Sequence, residues 1–77
     1  MSNLKQPPIN GSVLEGISKV LGETVNGLSG TEISKFLQEV KIPDVDSENT
    51  KWKRLYNAFV YFQNDKQYSN NILTFIN

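Results

Sequence analysis

Seventy-seven residues set a limit of one domain. The chain has neither Cys nor His, which excludes disulfides, thiolate nucleophiles, thiolate or imidazole metal ligands and the commonest general base. Eight basic and eight acidic residues cancel, a balance that argues against gripping nucleic acid chiefly through phosphates.

A chain this short buries only about 60% of the surface its unfolded form exposes, so a dense core is needed. No apolar run approaches the roughly 20 residues of a membrane span. The opening MSNLKQPPING lacks the apolar stretch of a signal peptide. The expectation is a soluble cytoplasmic protein without cofactors and without a membrane partner.

Residues 1–11 read as a flexible N-terminal arm, and residues 12–77 as a single helical domain. Pro7-Pro8 cannot continue a helix and Asn10-Gly11 is a turn signal. Leu4 and Ile9 are isolated apolar residues in the arm. A loose terminus is expected there, with a strap packed on the domain as the alternative.

Ser12 and Glu15 have the spacing of a capping box that starts the first helix. Val13, Leu14, Ile17, Val20 and Leu21 then fall on one apolar face. Gly16 and Gly22 weaken this helix, and they permit close approach of a neighbour. Asn26-Gly27 supplies the stop. Ser29 and Glu32 repeat the capping-box spacing for a second helix, with Leu28 and Ile33 placed to staple its entry. Its face is Ile33, Phe36, Leu37 and Val40, and Pro43 ends it at or before Ile42.

The loop Pro43 to Asn49 carries Asp44, Asp46 and Glu48 at alternating positions, as in the first half of a calcium loop. The calcium reading fails further on, because Asn49 stands where Gly is required and Leu55 where Glu is required. Asp46 or Ser47 is better read as the cap of a third helix, with Glu48 favourably placed at its positive end.

That third helix, TKWKRLYNAFVYFQN, holds the only Trp of the chain. Trp52, Leu55, Tyr56, Phe59 and Phe62 form its stripe, and it ends near Asn64-Asp65. The link Asp65 to Ser69 leads to a last apolar turn of Ile72, Leu73, Phe75 and Ile76. A terminal apolar turn is hard to bury with nothing after it, so the chain is expected to be the N-terminal part of a longer protein. The fold class expected is all-α, a small bundle of about four short helices. Trp52, Leu55, Phe59, Ile33, Phe36 and Leu37 would form its core together with Ile17 and Leu21.

No catalytic constellation is legible: no paired carboxylates share an apolar face, and the glycines match neither a P-loop nor a dinucleotide fingerprint. Catalytic, cofactor and metal residues are therefore assigned to none. One dense basic spot remains, Lys51, Lys53 and Arg54 in the first turn of the third helix. Cations there oppose the helix dipole, so helix stability does not explain them. They are the candidate contact for a partner or for nucleic acid. A helix-turn-helix reading fails because Lys41 to Asn49 is too long a turn and the third helix is too apolar to read a groove.

The segments LSGTEI, IPD, TKWKRLYNAFV, FQND and SNNILTFI lie between Ile17 and Ile76. Gly30 to Ile33, with Lys51, Trp52, Arg54 and Leu55, carry a resemblance to the N-terminal region of the conserved-hypothetical Ymh family of bacterial proteins. That region in turn resembles the N-terminal domains of abortive-infection (Abi) proteins. The resemblance implies a two-part protein, with a C-terminal helical domain like that of HEPN ribonucleases. Those nucleases use an Arg–His motif, which a chain without His does not carry. The expectation is a non-catalytic interaction or sensor module in phage defence. Its partners would be another protein, its own C-terminal effector domain or a second copy. The alternative is a nucleic-acid-binding helical domain using Lys51, Lys53 and Arg54.

Overall fold

A capping box opens one helix, and an asparagine side chain opens another. Asn10 Oδ1 accepts from the Ser12 amide at 2.9 Å and starts α1, Gly11–Leu21. Ser29 Oγ accepts from Glu32 N at 3.1 Å, and Glu32 Oε1 accepts from Ser29 N at 2.8 Å, which starts α2, Gly30–Glu39. Thr50 is the N-cap of α3, Lys51–Lys66, without a side-chain cap hydrogen bond. The short α4, Asn70–Ile76, closes the chain order. The computed structural model describes residues 6–76. The architecture is all-α, with four helices and no strand among the described residues. Among those residues no helix is long and apolar enough to cross a membrane.

The longest helix, α3, is the hub: α1 and α2 both pack against it. Leu55, Ala58, Phe59 and Phe62 of α3 are buried with Leu14 of α1, Ile33 and Leu37 of α2, Ile42 and Ile72. Phe75 of α4 stands edge-on to Phe59 at 5.3 Å and to Phe36 at 6.1 Å, and Phe62 stands edge-on to Tyr68 at 5.7 Å. Such pairs add about 0.5–1.5 kcal/mol each beyond the area they bury.

Several expectations need correction. The cap of α1 is Asn10 rather than Ser12, because the chain is already helical at Gly11. Neither Asp46 nor Ser47 caps α3, which begins later, at Lys51. It also runs on to Lys66, where Gln67 takes a left-handed conformation with φ 65°. Trp52, Phe36 and Ile17 are only half-buried and stand outside the buried core, and Leu21, also half-buried, packs against it.

The described part of the arm is a strap. Gln63, buried on α3, donates to Ile9 O at 2.9 Å and accepts from Ile9 N at 3.0 Å. Ser69 Oγ donates to Pro7 O at 2.8 Å, and Ser69 N donates to Gln6 O at 3.0 Å. Ile9 packs against the core. Proline carbonyls and an extended backbone leave these acceptors free for the α3–α4 junction. Leu4 lies outside the described residues.

Gly22 explains how α1 meets α3. A Cβ at Gly22 would lie 2.6 Å from the Trp52 amide nitrogen and 2.7 Å from its Cα. Only a glycine lets the start of α3 come this close. Gly16 has no such neighbour within 4 Å.

Candidate functional site

The basic cluster of α3 does not stay together. The Arg54 side chain is 9% exposed and turned into the molecule. Its Nε donates to Asp44 Oδ1 and Oδ2 at 3.1 and 3.2 Å, and its Nη2 donates to Asp44 Oδ2 at 2.5 Å. Nη2 also donates to Ser34 Oγ at 2.7 Å, and Nη1 to Gly30 O at 3.3 Å. The hydrogen bond to Asp44 pushes the Arg54 pKa upward, so the charge persists wherever the fold does. Arg54 is thus a clasp between α2, α3 and the loop, and the expectation that it offers a partner or nucleic-acid contact is corrected. Burial behind a carboxylate commits most of its donors inside the molecule.

Lys51 is half-buried, and its Nζ donates to Thr24 O at 3.3 Å. Lys53 is exposed, with Nζ 5.9 Å from the centroid of the Trp52 ring. Lys19 reaches the same ring at 4.9 Å. Within the cluster, therefore, only Lys53 is exposed, and its charge lies beside an indole face.

Two of the three acids of the 43–49 loop are likewise committed. Asp44 holds Arg54. Asp46 Oδ2 accepts from Asn49 Nδ2 at 2.8 Å and from Asn57 Nδ2 at 2.7 Å. These two donors hold the Asp46 carboxyl below its ordinary value. Both acids therefore brace the entry to α3.

A different surface stands open, and periodicity placed its α1 residues on one apolar face, with Ile17 and Leu21 in the core. On α1 only Leu14 and Ser18 are buried, while Val13 is 54% and Val20 73% exposed. Val13, Gly16, Ile17 and Val20 share one side of the helix by their spacing. With Leu21 and Ile76 they line an open cleft of about 400 Å³. A second cleft, of about 520 Å³, shares Leu21 and Ile76 and continues to Leu28, Phe36, Val40 and Phe75. Its polar lining is Glu39 and Thr74. The apolar arc of α1 is wider than α3 alone covers. The sign was there in the sequence: two valines seven residues apart, with Gly16 between them, form a stripe of their own beside the Leu14–Leu21 one.

Both clefts have apolar walls, and neither converges an acid, a base and a nucleophile. An apolar surface laid against them would exclude water from both sets of walls. Comparison with protein-family models, with curated proteins and with solved structures finds no match.

Proposed function

We propose that this chain is a non-catalytic interaction module, of the sensor or adaptor kind that its resemblance to Ymh and abortive-infection N-terminal regions implies. The observation that carries this reading is the open apolar surface of α1 and α4. Val13 and Val20 contribute little to the fold at their exposure, yet lie together with Ile17 and Ile76 beside a second apolar cleft. Contiguous apolar surface of this kind on a small domain marks a place where another protein docks. Its partner is a protein surface or an effector domain, and its role is recognition. The nucleic-acid alternative is weakened by the burial of Arg54 and by a net charge of zero.

The test is affinity capture with the wild-type chain beside Val20→Glu. A protein retained by the wild type, lost from the variant and insensitive to salt between about 0.05 and 0.5 M is the expected outcome. Retention of DNA or RNA that falls steeply over the same range, and is lost in Lys51→Ala/Lys53→Ala, would overturn it.

A further inference from the structure

We infer that the occupant of this surface is a second copy of the chain, paired about a two-fold axis that passes beside Leu21 and Ile76. This rests on the interaction-module reading and names the partner. The argument begins with the layout of the two clefts. They are adjacent, and Leu21 and Ile76 belong to both. On one side of these two residues the surface presents Val13 and Val20 from a helix. On the other side it recedes into the hollow among Leu28, Phe36, Val40 and Phe75. Half a turn about the shared residues lays the valines of each copy over the hollow of the other. A two-fold interface needs this kind of self-complementarity, in which each patch meets its counterpart twice.

The charged rims agree with the same rotation. On α1, Leu21 and Lys19 flank Val20, each about 100° round the helix on opposite sides. Lys19 therefore edges the valine stripe on the side away from the axis. Glu39 lines the hollow and also a smaller recess beyond it with Lys41, Asn71 and Thr74. It thus edges the hollow on its side away from the axis, and its carboxylate has no hydrogen-bond or ion-pair partner among the described residues. The rotation brings Lys19 of each copy towards Glu39 of the other. Glu15 and Lys41, the neighbouring charges of the two rims, face each other with opposite signs as well. Lys19 bridges Glu15 at 2.9 Å and lies over the Trp52 ring at 4.9 Å; at 53% exposure, a turn of its side chain exchanges these contacts for Glu39 of the other copy. With a net charge of zero, no overall repulsion keeps two copies apart.

The size of the patch sets the strength of the pairing. A standard interface buries about 800 Å² per partner, a large share of the 4961 Å² that this chain exposes. Two small clefts place the pairing at the weak end, with a Kd of about 10–100 µM.

Equilibrium sedimentation from about 10 µM to 1 mM reads the pairing directly over that range. The expected result is a mass that rises to that of a dimer, and remains that of a monomer for Val20→Glu. Lys19→Glu alone and Glu39→Lys alone each weaken the dimer about tenfold, because each sets two like-charged pairs across the interface. An equimolar mixture of the two variants pairs again, since every crossing contact is then of opposite sign. Circular dichroism of each variant checks that it is folded, and the mixture separates pairing from any effect on folding. A wild-type chain that stays monomeric at about 1 mM overturns the inference, as does a mixture no better than its components. A wild-type monomer that still captures a protein through Val20 ends the second-copy assignment and leaves the interaction-module reading standing. A monomer that captures nothing ends both.

Discussion

Arg54 holds three segments with one side chain. Its planar fork meets the Asp44 carboxylate, Ser34 on α2 and the Gly30 carbonyl at the start of α2, while its own backbone is in the first turn of α3. A cation in that turn loses a few tenths of a kcal/mol against the helix dipole. Charge-assisted hydrogen bonds in a nearly buried setting outweigh this several times over. Arg54→Ala strands Asp44 and is expected to lower stability by about 2–4 kcal/mol, less than for a fully buried pair because Asp44 retains some contact with water. Arg54→Lys recovers less than half of that, since a point ammonium does not span acceptors on both sides. Thermal melting reads this as a fall of about 4–8 °C per kcal/mol in a domain of this size. A variant melting with the wild type would show that the clasp holds nothing. Arg54 looked like surface in the sequence because spacing reports only its place on its own helix. Asp44 lies ten residues away and Ser34 twenty, and no local pattern records such contacts. The one legible hint was the misfit itself, a cation where the helix prefers an anion.

At the scale of elements, the reading succeeded where a start or stop has one chemical solution. Ser29 and Glu32 form the reciprocal box that their spacing announces. It failed where several polar residues compete. Asn10 outcompetes Ser12, and the 43–49 loop spends Asp44 and Asp46 on Arg54, Asn49 and Asn57. The end of α2 shows a further device that composition conceals. Lys41 is left-handed, with φ 61°. Its amide donates to Gln38 O at 3.1 Å and that of Ile42 to Leu37 O at 3.0 Å, the paired bonds of a Schellman stop. Glycine is the usual residue at this position, because a side chain there costs roughly 1–2 kcal/mol. Lys41→Gly removes that strain but gains unfolded-state freedom of about 0.4–1 kcal/mol, so a net stabilisation of up to about 1.6 kcal/mol is expected. Urea titration with an unchanged m-value would establish it. A lower midpoint would mean that the lysine stem contributes packing that outweighs the backbone strain.

For the whole molecule, periodicity identified the apolar residues and the all-α class, but it could not choose which sector of α1 faces inwards. That choice depends on Gly22, whose missing side chain admits the backbone of Trp52, and on Ser18, which is buried because its hydroxyl donates to Leu14 O at 2.8 Å. A buried serine satisfied by its own helix looks polar in a sequence and behaves as core. The result is a helix with two apolar faces, one buried and one open. Leu14 is fully buried in the core, and Val20 is 73% exposed on the outer surface. The two faces are separable by mutation. Leu14→Ala leaves a cavity among α1 and α3 side chains and is expected to cost about 2–5 kcal/mol. Small domains hold roughly 0.05–0.15 kcal/mol per residue, so this change alone brings much of the population to the unfolded state. Val20→Ser removes no buried contact and is expected to stay within about 0.5 kcal/mol of the wild type. Denaturant midpoints followed by Trp52 fluorescence decide the matter, because the indole sits where α1 meets α3. Equal losses at the two positions would return Val20 to the core and remove the outer face of α1 from any role in recognition. A loss at Leu14 alone leaves a folded Val20→Ser chain in which docking is tested without disturbing the bundle.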